Sequence, residues 1–112
     1  MKVIIDGDSR SNEEIALDML RESKALEDIS NEIEVSISTI LGYVTDMIKN
    51  GSEIDFKVNL EKYYTEEDEE HILKICEEEG IDKISLIKKK LPDNIKYESI
   101  RAVILKKYYN LM

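Results

Sequence analysis

The chain has 112 residues, enough for one domain but too few to give each of two halves a core. The composition favours helices joined by short loops, since it is 42% hydrophobic and 37% charged and includes only one Pro and four Gly. The single Cys excludes an internal disulfide or a multi-cysteine zinc site. The net charge of −9 divides into −6 over residues 1–51, −8 over residues 52–80 and +5 over residues 81–112, which weighs against tight DNA binding by the isolated chain.

Residues 1–10 differ in character from the rest of the chain. The β-branched run Val3-Ile4-Ile5 ends in Asp6-Gly7-Asp8-Ser9, which predicts a short strand or an N-terminal arm followed by a turn. The carboxylates of Asp6 and Asp8 alone are too few ligands for a metal ion. We therefore interpret them as part of a solvated turn and expect no metal site.

Three amphipathic segments follow, and each predicts a helix. The first covers about residues 11–23, with Ser11 or Asn12 as its N-terminal cap. The second covers about residues 25–33, and the third covers about residues 37–50. Asn50-Gly51 is the stop signal expected at the end of the third helix.

The stretch after Gly51 is ambiguous, because four apolar residues alternate with polar ones: Ile54, Phe56, Val58 and Leu60. Alternation is typical of a strand. The charged neighbours Asp55 and Glu61-Lys62 favour a short helix instead, and a short helix is our prediction.

Three further helices are predicted in the last part of the chain. Thr65 and Asp68 have capping-box spacing before a helix that Gly80 ends. A shorter helix begins near Ile84 and is halted by Pro92. The last helix, about residues 97–111, is predicted from its apolar residues Tyr97, Ile100, Val103, Ile104 and Tyr108.

Residues 24–40 have the pattern of a helix-turn-helix motif. Such a motif needs apolar residues that fix the helix crossing, a small residue where the helices approach, and a polar outer face on the second helix. Ile29 and Ile33 are expected to face inward beside the small Ser30, and Val35 to fill the turn. Further apolar positions that hold the second helix are Ile40 and Val44.

The turn and the outer face of the second helix supply the candidate binding residues. Ser36 is placed to cap that helix, and Glu34 occupies a turn position where Gly would suit a left-handed backbone, at a strain of roughly 1 kcal/mol. The residues expected on the outer face are Ser38, Thr39, Gly42, Tyr43, Asp46 and Lys49. For the two serines and Thr39, capping and DNA contact are both open, and Tyr43 could contact DNA or a protein partner.

Four blocks of sequence carry a resemblance to a known family. They are IALDML at 15–20, LEDIS at 26–30 with STI at 38–40, NGSEID at 50–55 and IKYESIRAV at 95–103. In this order they resemble the helix-turn-helix domain at the C-terminus of many RecQ-type DNA helicases and of YpbB-like proteins. The resemblance covers about residues 14–111. The chain departs from the family at Ser30, where Ala is common, and at Tyr43, where His is frequent.

The resemblance implies a non-catalytic, DNA-directed accessory role in or beside a RecQ-type helicase. The second helix of the motif would then enter the major groove of DNA. Whether the preferred DNA is duplex, forked or single-stranded stays open. Base contacts are expected from Ser38, Thr39 and Tyr43, and phosphate contacts from Ser36 and Lys49. Further possible phosphate contacts are Lys88, Lys89, Lys90, Lys96 and Arg101. For these basic residues, an ordinary solvated helical face is the alternative.

Other chemistry-bearing residues have simpler interpretations. Cys76 is expected in the core and His71 on the surface, since neither has the neighbours that a reactive or metal-binding site needs. No phosphate-binding Gly-rich loop and no nucleophile with an adjacent base is present, so we expect no enzyme and no cofactor. The absence of an apolar run of bilayer length and of a signal peptide predicts a cytoplasmic protein with no membrane partner.

We therefore expect an all-α protein in which residues 11–112 form a single compact multi-helix bundle. Its helix-turn-helix core lies at about residues 24–50, and a C-terminal helical extension at about residues 54–111. Two alternatives stay open for its function. One is an acidic module that docks on a helicase or self-associates. The other is a small transcription regulator, which needs a homodimer, with the last helix as the candidate seam.

Overall fold

Six α-helices account for most of residues 11–111, the part of the chain that the computed structural model describes. They are α1 (Asn12–Arg21), α2 (Leu26–Ile33), α3 (Ile37–Lys49), α4 (Glu66–Glu79), α5 (Ile84–Lys89) and α6 (Tyr97–Lys107), with a 3-10 helix at Glu61–Tyr63. These described residues contain no strand, so the all-α fold class is confirmed. The strand or arm expected at residues 1–10 lies outside them.

The helices belong to two compact units, whose boundary in the chain falls between Val58 and Asn59. Unit 1 contains α1, α2 and α3, and unit 2 contains the 3-10 helix with α4, α5 and α6. The helix-turn-helix segment therefore lies in unit 1, and the basic last third of the chain lies in unit 2. The single domain over residues 11–112 stays a prediction.

Reciprocal hydrogen bonds fix the beginning of α1 and of α4. The Ser11 hydroxyl accepts from the Glu14 amide at 3.2 Å, and the Glu14 carboxylate accepts from the Ser11 amide at 3.2 Å. Thr65 and Asp68 form the same capping box at 3.1 and 3.2 Å. A cap of this kind stabilises a helix by about 1 kcal/mol, because it satisfies amides that have no partner within the first turn. Both helix starts are as the sequence predicted.

Unit 1 is held together by one apolar face from each of its three helices, and each helix packs against the other two. The buried residues are Ile15, Ala16, Met19 and Leu20 of α1, Leu26, Ile29 and Ile33 of α2, and Ile40, Leu41 and Val44 of α3. Their spacings of three and four residues place them on a single side of each helix. The predicted inward positions Ile29, Ile33, Ile40 and Val44 are confirmed.

Unit 2 has its own core, formed by α4, α5, α6 and the loop between α5 and α6. The cluster contains Ile72, Cys76, Ile87, Leu91, Ile95, Ile100, Val103 and Ile104. Cys76 is buried, as predicted, and burial raises the pKa of its thiol. The hydroxyl of Ser99 donates to the carbonyl oxygen of Tyr63 at 2.6 Å, which ties the 3-10 helix to α6.

The prediction of a short helix around residues 54–62 is wrong for most of these residues. Residues 54–60 form neither helix nor strand, and helical structure is limited to the single 3-10 turn at Glu61–Tyr63. Burial in this stretch alternates, with Val58 and Leu60 buried and the residues between them exposed. Alternating burial is the mark of an extended backbone, so the apolar period of two outweighs the helix propensity of the charged neighbours.

The last helix is also shorter than predicted. α6 ends at Lys107, and the chain then turns through Asn110, whose φ of 56° lies in the left-handed region. The amide of Leu111 donates back to the carbonyl oxygen of Leu105 at 2.9 Å. This bond closes the helix end and brings Leu111 to a buried position.

Two properties of residues 11–111 concern membranes and metal ions. None of the helices in residues 11–111 has the length and apolar character to cross a membrane. The same residues contain no group of three or more His, Cys, Asp or Glu side chains placed to hold a metal ion. His71 is exposed, as predicted, and lies 3.9 Å from the carboxylate of Glu67. The Asp6/Asp8 pair lies outside the described residues.

Candidate nucleic-acid interface

The turn between α2 and α3 is fixed by hydrogen bonds around Ser30. Glu34 adopts a left-handed conformation with φ 56° and ψ 45°, and its amide donates to the carbonyl oxygen of Ser30. The amide of Val35 donates to the same oxygen at 3.3 Å. The Ser30 hydroxyl donates in turn to the Val35 carbonyl oxygen at 2.5 Å. The left-handed residue predicted at Glu34 is confirmed, and the small residue at position 30 has a second role as a hydrogen-bond donor.

Ser36 caps the beginning of α3. Its hydroxyl accepts from the Thr39 amide at 3.1 Å and lies 2.9 Å from the Thr39 hydroxyl. The predicted cap is confirmed. A hydroxyl has one hydrogen to donate and two lone pairs, so a Ser36 that accepts the amide bond still has the capacity to contact a phosphate.

The side of α3 opposite its buried residues is a polar ridge. Thr39, Asp46 and Lys49 are exposed, and they follow one another at helical spacing along one side of the helix. Ser38, Gly42 and Tyr43 flank them and are half-buried. We call the exposed residues Thr39, Asp46 and Lys49 the α3 ridge. The charges of Lys49 and Asp46 cancel, so the ridge has hydrogen-bonding groups but no net charge.

Tyr43 is more enclosed than the sequence suggested. Burial raises the pKa of its phenol, and the negative charge of Glu13 on α1 raises that pKa further. Tyr43 therefore lies at the edge of the α3 ridge, close to α1, rather than at its centre.

Unit 1 carries an acidic surface around this ridge. Residues 11–58 contain 4 Lys/Arg and 11 Asp/Glu, a net charge of −7. Among the exposed acidic residues are Asp28, Glu32 and Glu34, on α2 and in the turn that leads to α3. Arg21, one of the few cations, is held by Asp18 at 2.8 Å and Asp55 at 3.1 Å. Unit 1 therefore repels phosphate at long range, and Ser36 and Lys49 alone would offset little of this repulsion.

The further possible phosphate contacts, Lys88, Lys89, Lys90, Lys96 and Arg101, all lie in unit 2, and their surroundings differ. Lys90 forms an ion pair with Glu79, and this partner raises the pKa of the Lys90 ammonium. Lys89 and Lys96 are exposed and have no ion-pair partner in the described part of the chain. Arg101 is half-buried. Lys88 lies over the ring of Tyr97, with its ammonium 6.0 Å from the ring centroid.

Tyr97 is a candidate binding residue that sequence reasoning missed. The apolar pattern of α6 placed it on the same stripe as Ile100 and Val103, but its side chain is 42% exposed. The signal was its position at the first residue of the helix, directly after Lys96 and close to the run of lysines at 88–90. An exposed aromatic ring among cations is typical of surfaces that bind nucleic acids.

Most of the chain is similar to a known protein family. Residues 12–104 match the model of a family that is described as a helix-turn-helix domain. The matched range runs from the beginning of α1 to within α6, so it includes the described α2–turn–α3 segment and most of unit 2. No curated protein and no solved structure matches the chain.

Proposed function

The chain belongs to the family of helix-turn-helix domains, and on that premise we propose that it is a non-catalytic DNA-binding domain whose recognition helix is α3. The observation that carries the proposal is the exposed α3 ridge on a helix whose other side is locked into the core by Ile40, Leu41 and Val44. A helix held in this way presents its outer side to a groove without rearrangement.

The expected contacts follow from exposure along α3. We expect contacts to base edges from the exposed Thr39 and from the half-buried Ser38 and Tyr43. Ser36 and Lys49, at the two ends of the helix, are expected to contact phosphates. A hydroxyl forms hydrogen bonds with several bases, so this set predicts modest sequence preference rather than strict readout.

The basic residues between positions 88 and 101 are proposed to supply the positive charge that unit 1 lacks. Lys88, Lys89 and Lys96 are the phosphate contacts that we favour, with weaker roles for the paired Lys90 and the half-buried Arg101. Each phosphate that a cation neutralises releases counterions, so the affinity for DNA should fall steeply with salt.

The finer assignment is an accessory role in or beside a RecQ-type helicase. What supports it is the resemblance of the four sequence blocks, which extends over both units. A small transcription regulator is the other role for such a domain. It needs a homodimer, because recognition helices in such regulators are paired one helical turn of DNA apart. Light scattering of the full chain separates a monomeric accessory domain from a dimeric regulator. We keep the cytoplasmic location as a prediction from the sequence.

Titration of duplex DNA with the full chain at low salt tests the proposal. Lys49→Ala should weaken binding and reduce the slope of log affinity against log salt by about 1. Lys57→Ala is the matched control, because Lys57 is an exposed cation of unit 1 outside α3. Equal losses for the two variants, or no duplex binding by the wild-type chain, would reject α3 as the recognition helix.

One observation favours a second candidate, a protein-interaction module. The net charge of −7 over residues 11–58 fits a basic protein surface better than it fits DNA. In that case the α3 ridge and Tyr43 would dock on a partner such as a helicase core. Tyr43→Ala and Lys49→Ala would then abolish capture of the helicase core and leave DNA affinity unchanged.

A further inference from the structure

Unit 2 carries one surface where an exposed aromatic ring lies among unpaired cations. It consists of Lys88, Lys89, Lys96 and Tyr97, and we call it the Tyr97 patch. Tyr97 is 42% exposed, and the ammonium of Lys88 is held 6.0 Å from the ring centroid. Lys89 and Lys96 are exposed and without an ion-pair partner among residues 11–111. The patch therefore combines an exposed aromatic ring with three positive charges.

Three other lysines of unit 2 form ion pairs. Lys90 is paired with Glu79, Lys106 with Glu61 at 3.5 Å, and Lys107 with Glu69 at 3.6 Å. Carboxylates are fewer around the patch itself, since residues 88–98 contain four lysines against Asp93 and Glu98. The segment that contains Tyr97 therefore has an excess of positive charge.

Tyr108 provides an internal comparison. It lies just beyond the C-terminal end of α6 and is 40% exposed, nearly as much as Tyr97. Its surroundings are different, because the electrostatic neighbours that act on its phenol are Cys76 and the anionic Glu77. Exposure of a ring alone therefore does not define the patch. The combination of ring and cations does.

We infer that the Tyr97 patch binds unpaired nucleotides of single-stranded DNA, with a base stacked on the Tyr97 ring and phosphates beside the lysines. The inference rests on the proposed function in taking DNA as the partner. Bases of a duplex are stacked on one another and have no free face for the Tyr97 ring. A duplex can therefore contact the lysines through its phosphates but cannot stack on the ring. Flat aromatic rings beside cations bind unpaired strands, because every base has a π face to stack and every nucleotide carries a phosphate.

Fluorescence anisotropy of a labelled oligothymidylate of about 15 nucleotides, titrated with the full chain, tests this assignment. Tyr97→Ala should weaken binding of the oligonucleotide about tenfold, the loss typical of removing one stacking platform. Tyr97→Phe keeps the ring and should bind as the wild type does. Tyr108→Ala is the control for removing an equally exposed tyrosine from the same end of the chain.

A duplex of the same length separates this inference from the proposed function. Tyr97→Ala should leave duplex affinity unchanged, whereas Lys49→Ala should weaken duplex binding and leave the oligothymidylate unaffected. An unchanged oligothymidylate affinity for Tyr97→Ala, or an equal loss for Tyr108→Ala, would overturn the inference. So would an equal loss on duplex, which would make the patch a general backbone contact. Failure of the duplex arm alone would instead reject α3 as the recognition helix.

Discussion

The hydroxyl of Ser30 in α2 donates to the carbonyl oxygen of Val35, the residue that precedes the cap of α3. This bond joins the last turn of α2 to the segment that leads into α3, and both residues are half-buried. A small apolar residue at position 30 would allow α2 and α3 to approach each other closely, but it would not form the hydrogen bond to Val35. Ser30 therefore contributes to the geometry of the turn, and not only to the space that the crossing needs.

Replacing Ser30 with Ala should lower the free energy of unfolding. Removing the donor leaves a half-buried carbonyl oxygen short of a partner, at about 1–2 kcal/mol, and the better helix propensity of Ala returns only about 0.5 kcal/mol. Asn31→Ala is the control, because Asn31 is an exposed neighbour in the same helix and its replacement should be neutral or stabilising. Urea denaturation of both variants measures the difference, and two shifts of the same sign would count against the role of the Ser30 bond.

Replacing Glu34 with Gly should stabilise the turn. The backbone φ of 56° costs an L-residue about 1–2 kcal/mol, whereas Gly adopts it without strain and loses about 0.5–1 kcal/mol through the entropy of the unfolded chain. The net gain is therefore between about 0 and 1.5 kcal/mol. Glu34→Ala removes the same charge and keeps the strain, so it should not stabilise the chain. Equal stability of the two variants would mean that charge, not backbone strain, decides the effect.

The thiol of Cys76 should make stability depend on pH in the alkaline range. Burial raises its pKa above the ordinary value of 9.0, so the folded chain favours the neutral thiol. As pH rises through 9.0, the thiol of the unfolded chain loses its proton before the buried thiol of the folded chain does. The contribution of this thiol to the free energy of unfolding is fully present below that pH and declines above it. The free energy of unfolding, measured by urea denaturation from neutral pH up to the onset of tyrosine ionisation, should fall in the wild type.

Cys76→Ala is the variant that checks this assignment. It leaves a small cavity and should be less stable at every pH, so the informative quantity is the slope of stability against pH rather than its absolute value. The slope above pH 9.0 should become flatter in Cys76→Ala than in the wild type. An unchanged slope would assign the alkaline loss to other groups, such as Tyr108, whose pKa is also raised by burial.

Local chemistry explains why the turn was predictable from the sequence. The cap at Ser36 and the left-handed backbone at Glu34 depend on residues within four positions of each site, so the order of residues is sufficient to place them. The buried faces of α2 and α3 follow equally from spacings of three and four.

Exposure of individual aromatic residues was not predictable in the same way. Periodicity assigns Tyr43 to the outer side of α3 and Tyr97 to the apolar stripe of α6, yet Tyr43 is half-buried near Glu13 and Tyr97 is exposed beside Lys88. Both outcomes depend on the residues that another element brings next to the ring. The spacing of residues along one helix gives no information about those neighbours. The irregular stretch at 54–60 has the same origin, because an alternating pattern specifies an extended backbone but not a strand partner for it.

Ser36 allows the roles of helix cap and phosphate contact to be separated in one pair of variants. Asp and Asn are both good N-caps of similar size, so Ser36→Asp and Ser36→Asn should retain the cap and melt close to the wild type. They differ in one negative charge at the beginning of α3. If a DNA phosphate lies there, Ser36→Asp should bind duplex about tenfold more weakly than Ser36→Asn, since a repulsion of about 1.4 kcal/mol is ordinary for like charges near a protein surface.

The comparison is made at low salt and repeated at higher salt, where screening should narrow the gap between the two variants. Thr65→Asp applies the same chemistry to the cap of α4 and serves as the control for added charge away from α3. A Ser36→Asp variant that is folded, as stable as Ser36→Asn and equal to it in duplex affinity would show that no phosphate approaches the beginning of α3. The recognition helix would then have to be sought elsewhere in the chain, because the groove geometry of a helix-turn-helix brings the N-terminal part of that helix closest to DNA.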